Sequence, residues 1–136
     1  MQDRYLFRAK RLDNGQWVQG FICKKKYKSN KFYISCFHDK DDNEQFFAID
    51  PDTICQCTGL KDKNGKLIWE NDIMVAHLDE DYPEDETYIR ILWCGNGFCS
   101  IENGSKDIAP IDKFDSEHFE VCGNIFDNAE LLEEEP

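Results

Sequence analysis

The stretch Thr58–Val75, "TGLKDKNGKLIWENDIMV", sets the class of fold. It opens on Thr58, Gly59 and Leu60 and turns through Asp62-Lys63-Asn64-Gly65. An Asn-Gly pair between β-prone runs is the strongest short hairpin signal, because both residues tolerate positive φ. The return run extends from Leu67 to His77, with Leu67, Trp69, Ile73 and Val75 as packing residues. Glu70-Asn71-Asp72 breaks the alternation just before Ile73. Such a break suits a β-bulge, which bends a strand and raises its twist as a small barrel requires. Asp72 is placed to accept hydrogen bonds from backbone N–H groups at that bend.

Working outward, the same grammar of short β-prone runs and turn residues covers the chain. Arg4–Leu12 and Gln16–Cys23 flank a second Asn-Gly turn at Asn14-Gly15. Lys31–Phe37, Phe46–Ile49 and Thr53–Leu60 read as further strands, with Asp50-Pro51 as punctuation. Thr87–Cys94 and Phe98–Glu102 form a hairpin around Gly95-Asn96-Gly97. Ile111–His118 reads as a loop or one helical turn and Phe119–Asp127 as the last strand. Asn128–Glu135 reads as a short C-terminal helix, capped by Asp127 or Asn128. Strands do not alternate with long helices, which argues against a doubly wound parallel sheet. The expectation is a mainly β single domain over residues 1–136. Its form is a small coiled antiparallel sheet or a partly open, SH3-like barrel, with a hairpin extension and a short C-terminal helix.

At 136 residues the chain can bury roughly two thirds of its unfolded surface without covalent staples. The formal charge of −12 argues against a nucleic-acid partner, since neutralising phosphates takes clustered Lys and Arg. No apolar run is long enough for a membrane span or a secretory leader, so the expected location is the cytoplasm. Seven cysteines, an odd number, then read as reduced thiols.

Candidate chemistry is sparse. Cys55 and Cys57 share one strand face, Cys36 and His38 have the same spacing, and Cys94 and Cys99 flank a turn. None of these is a zinc knuckle, so neither metal nor cofactor is expected. There is no Gly-x-Ser-x-Gly elbow, and Ser35, Ser100, Ser105 and Ser116 have no visible relation to a histidine. His77 and His118 read as partly exposed or hydrogen-bonded residues rather than general bases. No phosphate-cradling loop is visible. Two surfaces stand out as candidate interaction sites. One is the aromatic and basic cluster Lys26, Tyr27, Lys28, Phe32 and Tyr33; its bland reading is an edge hairpin with lysines outward. The other is the acidic loop of Asp79, Glu80, Asp81, Glu84, Asp85 and Glu86, whose bland reading is a solvated loop. Pro83 interrupts that loop, and it lacks EF-hand spacing.

"TGLKDKNGKLIWENDIM" resembles the signature segment of the YopX family, proteins encoded by phages and prophages. "DRYLFRAKRLDNGQWVQGFI" resembles the opening hairpin of that family. "FEVCGNIFDNAELL", which contains Gly123 and Asn124, resembles its closing strand and helix start. Cys57 stands where the family often has an aromatic residue, and Asn71 where it often has Gly. Asn is the next-best residue for a left-handed backbone, so the turn survives that change. The segment also resembles the "G-D-x-V" strand opening of SH3-like barrels. The resemblance implies a mostly β, barrel-like core and self-association, with no assigned activity and hence no catalytic residues. The expected function is that of a phage or prophage accessory protein in the bacterial cytoplasm. It would act by binding or self-assembly, as a homo-oligomer or with a host or phage protein. The alternatives are an acidic inhibitor of a basic host protein (a defence or nucleic-acid-binding factor) and a metal-dependent hydrolase.

Overall fold

The computed structural model describes residues 5–24, 32–37 and 44–132. The chain is mainly β: eleven strands, one short α-helix and 3-10 turns among the described residues. The strands form two antiparallel sheets, and neither closes into a barrel. By compactness the chain divides into two units, Met1–Cys57 and Thr58–Pro136.

In the first unit β1 (Phe7–Lys10) pairs with β2 (Trp17–Lys24), β2 with β3 (Phe32–Phe37), and β3 with β4 (Glu44–Ala48). On the free side of β1 lies the start of β5 (Cys55–Lys61), through Phe7↔Gln56 and Arg8↔Cys55. The β1–β2 turn departs from the expectation. Gly15 alone takes a positive φ, of 71°, while Asn14 keeps a negative one. Bonds from Gly15 N to Arg11 O (2.9 Å) and from Arg11 N to Gln16 O (2.9 Å) close a loop longer than the Asp13-Asn14-Gly15 turn expected between the two runs. Just past β1 and β4 the chain pairs once more, at the isolated bridge Arg11↔Ile49, flanked by Leu12 N to Ala48 O (3.0 Å) and Asp50 N to Lys10 O (2.9 Å). The bridge ties β1 to β4 at one corner and leaves the sheet open, short of a closed barrel. Ala9, Ile34 and Ile49 form its core, with Val18, Ile22, Phe32 and Ile54 packed around them.

In the second unit the remainder of β5 returns through Asp62–Lys66 as β6 (Leu67–Trp69). The continuous run expected to His77 is broken here. Glu70-Asn71 is a turn, and the chain resumes as β7 (Asp72–Ala76) in a different sheet. That sheet has the order β10-β9-β8-β7-β11, with β8 Thr87–Trp93, β9 Phe98–Glu102, β10 Ile108–Pro110 and β11 Glu120–Asn124. The bulge lies elsewhere: Val121↔Met74 is followed by Gly123↔Ile73, leaving Cys122 as the extra residue of β11. The edge strand β10 was not expected. Its short exposed sequence, ending in Pro110, carries little of the alternation that marks a strand. The short helix α1 (Lys113–His118) is set by a capping box. Asp112 Oδ1 accepts from Asp115 N (3.0 Å), and Asp115 Oδ2 accepts from Asp112 N (3.3 Å). The C-terminal helix is a 3-10 turn, Ala129–Leu132. Ile68, Met74, Ala76, Ile89, Ile91 and Phe119 make the core of this unit. Among the described residues no helix is long and apolar enough to cross a membrane.

Candidate functional site

The signature segment is built around two buried carboxylates. Asp62 Oδ1 accepts from Asn64 N and Lys66 N, both at 2.9 Å, and Asp62 Oδ2 accepts from Val121 N at 2.9 Å. One side chain thus holds its own turn and ties it to β11. Lys63 N to Phe119 O (3.1 Å), Asn64 Nδ2 to Glu120 Oε2 (3.0 Å) and Ser116 Oγ to Lys61 O add to that tie. Gly65 supplies the positive φ, and Gly59 a second one in β5. Thr58 Oγ1 donates to Ile68 O (2.8 Å) and receives Leu60 N. Asp72 is 1% exposed and accepts Trp69 N at 2.7 Å. Trp69 and Ile73 are buried, and Glu70 is half-buried. Asn71 sits at φ 69°, and its side-chain Oδ1 accepts from Arg90 Nη2 at 3.1 Å.

The closing segment works the same way. Asn124 Oδ1 accepts from Phe126 N and Asp127 N, both at 2.9 Å, while Asn128 Oδ1 accepts from Asn124 N. Gly123 lies against Asn128: an added Cβ would sit 2.5 Å from its Oδ1. Each of these contacts ties a turn or a strand junction.

The candidate interaction residues divide. Lys26, Tyr27 and Lys28 lie outside the described residues. Phe32 is half-buried against the first core and Tyr33 is half-buried in β3. Asp79, Glu80, Asp81, Glu84, Asp85 and Glu86 are all exposed. Glu86 accepts the Tyr88 hydroxyl, and this bond pushes the phenol up to about 12. His77 and His118 each donate from Nδ1 to a carbonyl, Pro83 O (2.8 Å) and Phe114 O (2.9 Å); a carbonyl only accepts, which sets the proton on Nδ1. Cys55 and Cys57 are buried on one strand face. The Cys94 thiol is raised by its hydrogen bond to Cys99 across the β8–β9 turn.

A site that the sequence did not announce lies between the second sheet and α1. It is a cavity of about 390 Å³. Thr87 and Ile89 of β8, Ser100 and Glu102 of β9, and Ala109 of β10 form its floor. Phe114, Asp115 and Phe119 close it from α1 and beyond, with Leu78, Ser105 and Asp107 at its margin. Pairing explains the convergence: Ile91↔Ser100 and Ile89↔Glu102 across β8–β9, and Ala109↔Ser100 across β9–β10, put these residues on one face. The alternation of "FCSIE" already groups Phe98, Ser100 and Glu102, but nothing local brings Asp107 or Asp115 to them. Burial raises the Asp115 carboxyl, aided by the neighbouring Asp112 charge and opposed by the backbone N–H of Asp112.

Two open antiparallel sheets, with the turn between β6 and β7 handing the chain from one to the other, define a small β protein organised by buried carboxylate turns. The model of the YopX protein family matches residues 6–133, and the chain belongs to that family. Its fold is similar to the crystal structure of protein EF1440 from Enterococcus faecalis. The TM-score is 0.56 at 23% identity, covering 93% of this chain and 96% of that one, a likeness of fold. No curated protein matches the chain.

Proposed function

We propose that this YopX-family chain acts by binding and not by catalysis, as a phage or prophage accessory protein in the bacterial cytoplasm. It takes up a partner protein or a further copy of itself. The observation that supports this reading is the cleft between the second sheet and α1. There Glu102, Asp107 and Asp115 share a concave surface with Ser100, and the partly exposed Leu78 and Phe114 stand at its mouth. A concave surface that combines apolar side chains with a few convergent polar groups is the general form of a recognition site. A second reading, an acidic inhibitor of a basic host protein, is favoured by the exposed loop Asp79–Glu86, which continues directly from Leu78.

Light scattering across a concentration series tests self-association, and affinity capture from host lysate tests a foreign partner. The reading expects a mass that rises with concentration or a captured protein. A basic protein released by raised salt would support the inhibitor. A monomer at every concentration that captures nothing overturns the proposal.

A further inference from the structure

We propose that the cleft over the second sheet is a site for an alkylammonium group, carried by a lysyl side chain or by a free aliphatic diamine. This rests on the binding reading above and names what is bound.

The first observation is Ser100. It is only 9% exposed and lines the cavity, yet its hydroxyl has no hydrogen-bond partner among the described residues. The hydroxyl oxygen opens onto the cavity, where it can bond to a ligand. The second is charge. Glu102 and Asp107 have no cationic partner among the described residues, and no Lys, Arg or His lines the cavity. Asp115 uses one oxygen on the capping box and lies close to Asp112, so the cleft concentrates negative potential. An anionic ligand is repelled there.

The third observation is geometry. Among the described residues no three His, Cys, Asp or Glu side chains group so as to hold a metal ion. A cleft without such a grouped set of ligands suits an ammonium group better than a metal ion. An ammonium head offers three N–H donors, enough for the Ser100 hydroxyl and two carboxylates. Its methylene stem fits against Ile89, Ala109 and Phe119, and Phe114, whose ring is stacked on His118 at 4.1 Å, borders the site. The volume, about 390 Å³, lies within the range of small-ligand sites.

The test is an amide-resolved NMR titration of the full chain with three probes. These are cadaverine, an N-acetyl-lysine amide, and pentanediol as the neutral analogue of the diamine. Saturable shifts centred on Ser100, Glu102 and Asp115 are expected with the amines and not with the diol. Glu102→Gln combined with Asp107→Asn should weaken amine binding about tenfold or more. Both side chains are exposed, so the fold should persist. Ser100→Ala should weaken it about threefold. Tighter binding of the lysine amide assigns the site to a protein partner, and tighter binding of cadaverine assigns it to a free diamine. Shifts confined to Asp79–Glu86, equal response to the diol, or unchanged affinity in the double variant overturns the proposal. If the cleft ignores amines while light scattering or lysate capture is positive, this proposal falls and the binding reading stands.

Discussion

At the scale of single residues, the signature segment is a set of buried acceptors. Asp62 satisfies three backbone N–H groups on two elements. Removing it leaves three part-buried donors without their acceptor, which is costlier than losing a contact between exposed groups. Asp62→Ala should destabilise the fold by about 3 kcal/mol, read as a lower urea midpoint. An unchanged midpoint would show that water replaces the carboxylate. Tyr88 supplies a pH signature. Its bond to Glu86 favours the neutral phenol and moves it up to about 12. Because the folded value exceeds the unfolded one, this contribution is fully present below pH 10 and fades between 10 and about 12. Tyrosinate absorbance should show one late-titrating group, and Glu86→Gln should return it toward the ordinary range.

At the scale of elements, the turn at Asn71 separates a hairpin strand from an interior strand of another sheet. A non-glycine residue at positive φ carries a penalty of about 1–2 kcal/mol. Asn71 offsets this through its bond from Arg90 and through Asn71 N to Ile91 O, at 2.7 Å. Asn71→Ala should therefore lose about 2 kcal/mol, whereas Asn71→Gly should stay within about 1 kcal/mol of the parent, because relief of the backbone balances the lost side-chain bond. Thermal unfolding of the pair decides it, and equal losses would refute the backbone account. In the first unit Gly20 of β2 has a different reason to be glycine. A Cβ there would lie 2.0 Å from Ser35 O, a backbone atom of the neighbouring strand. Gly20→Ala should force β2 and β3 apart and abolish soluble expression or cooperative unfolding; a normal unfolding transition would show that the strands have slack.

At the scale of the whole molecule, charge is the dominant long-range term. The chain carries −12 formally. The surface ion pairs Arg11–Asp13 and Lys113–Glu117 are of the kind that contributes little to stability. Repulsion among the remaining carboxylates should therefore set the salt response. Raising ionic strength should raise the unfolding midpoint, because screening relieves repulsion more than it weakens attractive pairs. A midpoint that falls with salt would mean that attractive networks outweigh the net charge.

Local chemistry made much of the fold readable from sequence. The Asn-Gly and Gly-Asn-Gly turns, the period-two runs and the Asp-Pro stop located most strands to within a few residues. The mainly β class and the partly open sheet follow from those local preferences and from a chain too short of helical periodicity to do otherwise. The expectation failed where partners distant in sequence decide. Glu70-Asn71-Asp72 read as a bulge because one strand cannot announce that its two halves join different sheets; the bulge went to Cys122, whose role depends on pairing with β7. The strand β10 exists only because β9 offers it an edge. The cleft is the extreme case. Ser100, Glu102, Asp107 and Asp115 belong to two elements and a loop, and each is unremarkable beside its own neighbours. By itself the sequence determined the turns, the strand grammar, the acidity and the family. Tertiary structure alone decided which sheet each strand joined and which polar groups met in the cleft, because register and packing are agreements between segments far apart in the chain.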